Sequence, residues 1–397
     1  MIEIERRFSV TEVTQIEIRT GMGDISASTS NGQAILVRAR IRSGNEAELE
    51  ATVVDGVLVV NQRTNGKNGQ PDDWHRSSSM DVTLVLPAGS EVSVALQTGK
   101  GDVSSDRIPG LRDVRTGKGD VSTSRSVRDL AIQTGMGDVS VRNASGAVLV
   151  ETGKGDVSIG DLAGGLQVRT GAGDVSVHGW QAPAAATTGA KHAIRTGAGD
   201  VSVSRAQSPS LDVNTGRGDC SLDQVALTDL HVHSGSGDVS VDGDPATGRW
   251  EVRTGKGDLS MRIPARAVRI EAATRHGDIS SDLPQVKVAR PGPASQRGGR
   301  SIGVIGGEPR AEILLETSHG DISVRVAGAP LPLPAASAWT SAIAEPVAVP
   351  VLPTAQTSLA VPPSDPKATA LAVLESLSRG ELTVDEAEAL LRSIESA

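Results

Sequence analysis

Twelve aspartates in this 397-residue chain sit in one recurring phrase, close to TG-x-GDVS, and they are the first candidates for chemistry. They fall at Asp24, Asp102, Asp120, Asp138, Asp156, Asp174, Asp200, Asp219, Asp238, Asp258, Asp278 and Asp321. Stacked at the ~4.8 Å spacing of neighbouring strands, such carboxylates repel one another. Calcium could bridge them, since G-x-G-D partly matches the Gly/Asp repeats of calcium-binding β-rolls, and this makes Asp102, Asp120, Asp138, Asp156 and Asp174 a candidate calcium ladder. Each corner offers one carboxylate, however, whereas calcium takes about six to eight oxygens. The weightier reading is structural. Each Asp accepts hydrogen bonds from turn N–H groups, and Lys100, Lys118, Lys154, Arg217 and Lys256, two residues earlier, soften the repulsion. No metal or cofactor is expected.

A serine follows two residues after every one of these aspartates, but a nucleophile needs a base and an orienting group beside it. The seven histidines show no such arrangement along the sequence. His276 and His319 fill the same variable position of the last two phrases, and become neighbours if the residues between them loop out. Cys220 stands where other copies carry an aliphatic residue, which reads as an inert core thiol. Arg217-Gly218-Asp219 spells an integrin-type tripeptide, yet it is this same corner with Arg at its variable position. No catalytic residue is assigned, and no enzyme is expected.

The phrase recurs every 18 residues from Asp102 to Asp174 and every 19 or 20 from Asp200 to Asp278. A fixed period of this length marks a repeat architecture, in which each unit buries its apolar face against its neighbours. The position six before each Asp is apolar in all copies, for example Leu96, Val114, Ile132, Val150 and Val168, and polar residues alternate with it. An aliphatic residue follows the Asp, then Ser, then often another aliphatic. This alternation of period two describes two half-buried strands joined at a glycine corner. The Thr four before the Asp shares the buried parity and can bond within the turn.

Two architectures fit this parity. In a parallel β-helix each repeat is one coil of strand, corner and strand; in a meander or propeller-like array, TG-x-GD closes an antiparallel hairpin. The parallel solenoid is favoured, because it keeps corner, Asp and Ser in one register. With one Phe, four Trp and no Tyr, its core is expected to consist of small aliphatics.

The expected solenoid covers residues 1–328, with irregular capping coils in 1–90, regular coils in 91–282, and a loop with the last coil in 283–328. Arrays need atypical end units. A Pro/Ala-rich linker follows over 329–364. Residues 365–397 then read as two short helices: Leu371, Leu374 and Leu377 lie at helical spacing, Gly380 interrupts, and Thr383 with Glu386 forms a capping box ahead of Leu390, Leu391 and Ile394. So small a hairpin cannot bury enough surface alone. Its stripe therefore points to another copy, the solenoid or a protein partner, and the first of these would make a homo-oligomer.

A formal charge of −9, with no basic run and no aromatic interleaving, argues against nucleic acid. The N-terminal residues lack the apolar core of a secretory signal, and no apolar run reaches the ~18 residues of a membrane span. With a single cysteine, the expected location is the cytoplasm.

The T-G-x-G-D-[VI]-S units, the GVIGG segment before the last coil and the terminal SRGELTVDEAEALL together resemble the bacterial putative-adhesin family of β-strand-repeat proteins, whose members frequently end in a SHOCT-like helical segment. The repeats carry this resemblance over about residues 8–326, and the tail over about 367–394. It implies a β-helix-like body and, in some relatives, a link to cell-envelope stress. The function expected is that of a non-enzymatic interaction or scaffold protein whose tail docks a partner or another copy. A self-assembling cytoskeletal-type scaffold is the first alternative, and a polysaccharide-acting β-helix enzyme the second.

Overall fold

A computed structural model describes residues 2–42, 49–62, 79–182, 192–245, 247–265, 267–282, 286–289, 299–305 and 309–327. The chain divides into two units, Met1–Ala344 and Glu345–Ala397. The linker and the helical hairpin expected beyond residue 328, with Leu371, Leu374, Leu377, Leu390, Leu391 and Ile394, lie outside the described residues. Among the described residues there is no α-helix, and the one helical turn is the 3-10 segment Val10–Glu12.

The first unit is a β-solenoid with parallel coils. Strand Leu130–Met136 pairs in parallel with Val148–Lys154 on one flank and with Leu111–Lys118 on the other. After the corner, Val139–Ala144 pairs in parallel with Val157–Leu162 and Val121–Ser124. Each regular coil thus has a first side leading into the glycine corner and a second side leaving it, and equivalent residues stack: Thr116 on Thr134 on Thr152, Ser122 on Ser140 on Ser158. The hairpin alternative is excluded for these coils.

The alternation seen in the sequence is the burial pattern. Leu96, Val114, Ile132, Val150 and Val168 are at most 1 % exposed, and the aliphatic residue after the Asp is equally buried in Val103, Val121, Val139 and Val157. The core is not wholly small, however. Trp180 and Trp250 are fully buried, and each satisfies its indole N–H on a backbone carbonyl, Trp180 on Gly164 (2.9 Å) and Trp250 on Leu227 (3.1 Å).

A second corner, unmarked in the sequence, lies five residues after the Asp in the seven coils from Asp102 to Asp219. Arg107, Arg125, Asn143, Asp161, Arg205 and Gln224 all take φ of 52–58°, and Gly179 takes 68°. Asn, Asp and Gly tolerate this left-handed conformation, but Arg does so only when the surrounding ladder imposes it.

The ends depart from sequence order. At the N-terminal end, Gln15–Met22 lies between Val57–Gln62 and Ser93–Lys100, and Ile25–Ser30 lies between Met80–Pro87 and Val103–Asp106. At the C-terminal end, Ala311–His319 lies between Gly248–Lys256 and Val268–His276, and Ile322–Ala327 between Leu259–Pro264 and Ile279–Ser281. Antiparallel strands close both ends. Ala34–Ile41 covers Met80–Pro87, Ile2–Ser9 covers Ala34–Ile41, and Gly299–Ile305 covers Val268–His276. The region expected as a plain loop after residue 282 therefore contains two strands, Val286–Ala289 and Gly299–Ile305, paired with each other.

Candidate functional site

The glycine corner is where conserved register could make a site, and its geometry follows from close stacking. In Gly137 φ is +144°, and a Cβ there would meet the carbonyl oxygen of Gly119 at 2.0 Å. The first glycine of the phrase is held nearly as tightly, since a Cβ on Gly135 would meet Gly117 O at 2.6 Å. Only glycine permits coils to approach this closely at the turn.

That approach determines what the Asp row does. The carboxylate Oδ1 of Asp120 accepts the backbone N–H of Asp138 (2.8 Å), Asp138 accepts that of Asp156 (2.9 Å), and Asp156 that of Asp174 (2.8 Å). The chain of bonds continues through Asp200, Asp219, Asp238, Asp258, Asp321 and Asp278 in spatial order. At the other end Asp102 donates to Asp24 (3.0 Å), and Asp24 donates to Asp81 (3.3 Å). Asp81 is thus a thirteenth rung that the sequence reading passed over. The signal was there, in Asp81-Val82-Thr83 standing for Asp-Val-Ser, but Met80 replaces the glycine. Asp81 also pairs with Arg42 (2.8 Å).

The Thr row works the same ladder from inside. Its hydroxyl donates to the second glycine's carbonyl in the preceding coil, as Thr116 to Gly101 (3.1 Å) and Thr254 to Gly237 (3.0 Å); the bond expected within the turn is made as well by Thr254, to Lys256 O (3.4 Å). Thr20 and Thr152 are the exceptions and find no partner. Asp102, Asp120, Asp138, Asp156 and Asp174, the calcium candidates, therefore each have one oxygen committed to a backbone N–H. Among the described residues no three His, Cys, Asp or Glu side chains converge as metal ligands.

The serines of the phrase face outward along the second side. One hydroxyl elsewhere on that side does meet a base: Ser204 Oγ lies 2.6 Å from His178 Nδ1, a pairing made by adjacent coils across 26 residues and invisible in the sequence. The strand partner on the far side of Ser204 is Asp223, and that of His178 is Gly160. The acid is therefore beside the hydroxyl instead of behind the imidazole, so His178 has no orienting carboxylate from its own flank.

His276 and His319 do become neighbours, stacked with ring centroids 4.6 Å apart and planes 9° from parallel, because the two final coils adjoin. Parallel rings do not converge their nitrogens on one ion. His192, in contrast, is buried where other coils carry Leu or Val. Its Nδ1 accepts the N–H of Leu166 (3.2 Å), its ring meets Trp180 edge-on at 5.1 Å, and burial lowers its pKa. Cys220 is 1 % exposed, and burial pushes its thiol up to about 12, so it carries no thiolate at neutral pH. Beside the glycine row, a shallow open groove of about 710 Å³ runs along five coils, from Gln97 to Gly171.

The sequence profile of the Toastrack DUF4097 family matches residues 13–188 and, overlapping them, 148–325. The chain belongs to this family. The two overlapping matches are those expected of a Toastrack solenoid in which one segment of repeats resembles the next. Among solved structures, a putative adhesin from Bacteroides fragilis is 13 % identical with a TM-score of 0.28, and the match covers 81 % of this chain and 97 % of that one. A putative lipid binding protein from Parabacteroides distasonis is 12 % identical with a TM-score of 0.28, over 81 % and 96 %. A putative cell adhesion protein from Clostridium sporogenes is 9 % identical with a TM-score of 0.19, over 82 % and 99 %. No curated protein matches the chain.

Proposed function

We propose that this Toastrack protein works without covalent chemistry, as a stiff scaffold whose coils display a binding surface and whose C-terminal segment recruits a protein partner or a second copy. The observation that carries this reading is how the motif spends its polar groups. The Asp carboxylate, the Thr hydroxyl and the glycine backbone all serve the contact between one coil and the next. What faces outward is a regular surface with an open groove, which suits recognition of an extended partner better than turnover of a small molecule.

The adhesin-type names of similar structures fit an interaction role, and a link to cell-envelope stress is the setting that the family resemblance suggests. A polymerising scaffold is the weaker reading, because antiparallel strands cover both ends and break the parallel register that a further copy would have to continue. The test uses full-length protein and the variant with Leu374, Leu377, Leu390 and Leu391 replaced by Ser. Light scattering and affinity capture should show the association lost while β-sheet circular dichroism is kept. Unchanged mass and partners in the variant overturn the tail's role. Turnover of a polysaccharide by the purified protein overturns the non-enzymatic reading.

A further inference from the structure

The two ends of the solenoid are built alike, and both break sequence order. After the covering strand Ile2–Ser9 the chain builds the second coil, Gln15–Met22 with Ile25–Ser30, goes outward to the terminal coil, Val57–Gln62 with Met80–Pro87, and then passes over the second coil to enter the third at Ser93. At the other end it leaves Leu259–Pro264, builds the outermost coil Val268–His276 with Ile279–Ser281, turns through Gly299–Ile305, and comes back to insert Ala311–His319 and Ile322–Ala327 beneath that coil.

In a solenoid stacked in chain order, the last coil has a neighbour on one side only, and it frays first. Here Ala311–His319 has eight partners on Gly248–Lys256 and another eight on Val268–His276. Ile322–Ala327 has six on Leu259–Pro264 and three on Ile279–Ser281. The side chains repeat the double hold. Asp321 donates its N–H to Asp258 and accepts that of Asp278, both at 2.8 Å. Thr317 bonds Gly257 O (3.1 Å) while Thr274 bonds Gly320 O (3.0 Å). Ile322 is fully buried, whereas its counterpart Ile279 in the outermost coil is half-buried.

We infer that this interleaving is a clamp on the chain's exit point: the coil that ends at Ala327, from which the C-terminal segment continues, cannot be released by fraying and leaves only when the whole end opens. A pull on that segment is thus resisted by ladder on both flanks at once. The inference rests on strand order alone and stands whether or not the proposed function is right, but it is the property a tethered scaffold needs.

Hydrogen exchange on the intact full-length protein tests it. Amides of 322–327, held on both flanks, should exchange about tenfold more slowly than those of 279–281, held on one, although they lie later in the chain. Equal or faster exchange of 322–327 overturns the clamp. Force spectroscopy on the full chain held by its termini gives a second measurement. Residues 265–327 should come away in one step of about 200 Å, or together with further coils, at ~3.4 Å per residue. A separate initial release of only 309–327, about 65 Å by the same conversion, overturns it.

Discussion

At the scale of single residues, the Asp row is a hydrogen-bonding device, and its acceptor oxygen can be separated from its charge. Asp138→Ala removes the acceptor for Asp156 N–H, at a bond length of 2.9 Å, and should destabilise the protein by about 1 kcal/mol, since the orphaned donor sits at an exposed corner. Asp138→Asn keeps an oxygen in place and should cost less than half of that. Chelator should leave the melting temperature of all three proteins unchanged, and a calcium-dependent rise would contradict the ladder as described. His192 is the other residue with a sharp expectation. Its folded pKa lies below the ordinary 6.5, so the unfolded chain binds more protons as pH falls through that value. Stability is therefore full above about pH 7 and is lost as pH falls from the unfolded pKa toward the folded one. Melting curves between pH 7.5 and 5 should show this loss, and His192→Leu, which restores the residue type of neighbouring coils, should reduce the slope.

The element that matters is the corner joining the two sides of a coil. The second glycine of the phrase combines positive φ with backbone contact to the coil below, so Gly137→Ala should cost about 3 kcal/mol or more, from backbone strain plus collision with Gly119 O at 2.0 Å. Gly160→Ala is the control, because a Cβ there meets nothing within 4 Å. Urea denaturation of both should separate them clearly, and equal losses would mean that stacking distance is not what selects glycine. The Val side of the same corner tolerates exchange. Cys220→Val should change stability by less than about 1.5 kcal/mol, because Val fills the equivalent buried position in most coils.

For the whole molecule, stability should be nearly a sum of coil and interface contributions, modified by the interleaved ends. Glu345–Ala397 is a unit separate from the one that holds the solenoid. Removing it should leave the melting temperature of the β-sheet signal within about 2 °C of the full-length value, given that stability changes of well under 1 kcal/mol move a melting point only slightly. A larger drop would show that the solenoid depends on its tail.

The sequence by itself determined the repeat, the buried rows and the place of each corner, because period and alternation are local consequences of strand geometry. Val114, Ile132 and Val150 could be assigned to one buried row, and Cys220 to the core, without any coordinates. It also marked the glycine corner, since few residues other than glycine can turn there. Tertiary structure decided what local pattern leaves open. Parallel stacking rather than hairpins, the Asp-to-N–H bonds between coils, the meeting of His178 with Ser204 and the burial of Trp180 against His192 all depend on which coil lies beside which. So does the left-handed corner at Arg107 and Arg125, where an unexpected residue type is held by its neighbours. The order of the end coils is the clearest case. Asp258, Asp278 and Asp321 carry nearly the same phrase, so any order satisfies the local pattern equally. The order that forms is a matter of tertiary pairing: the chain returns beneath its own outermost coil, which Gly299–Ile305 covers.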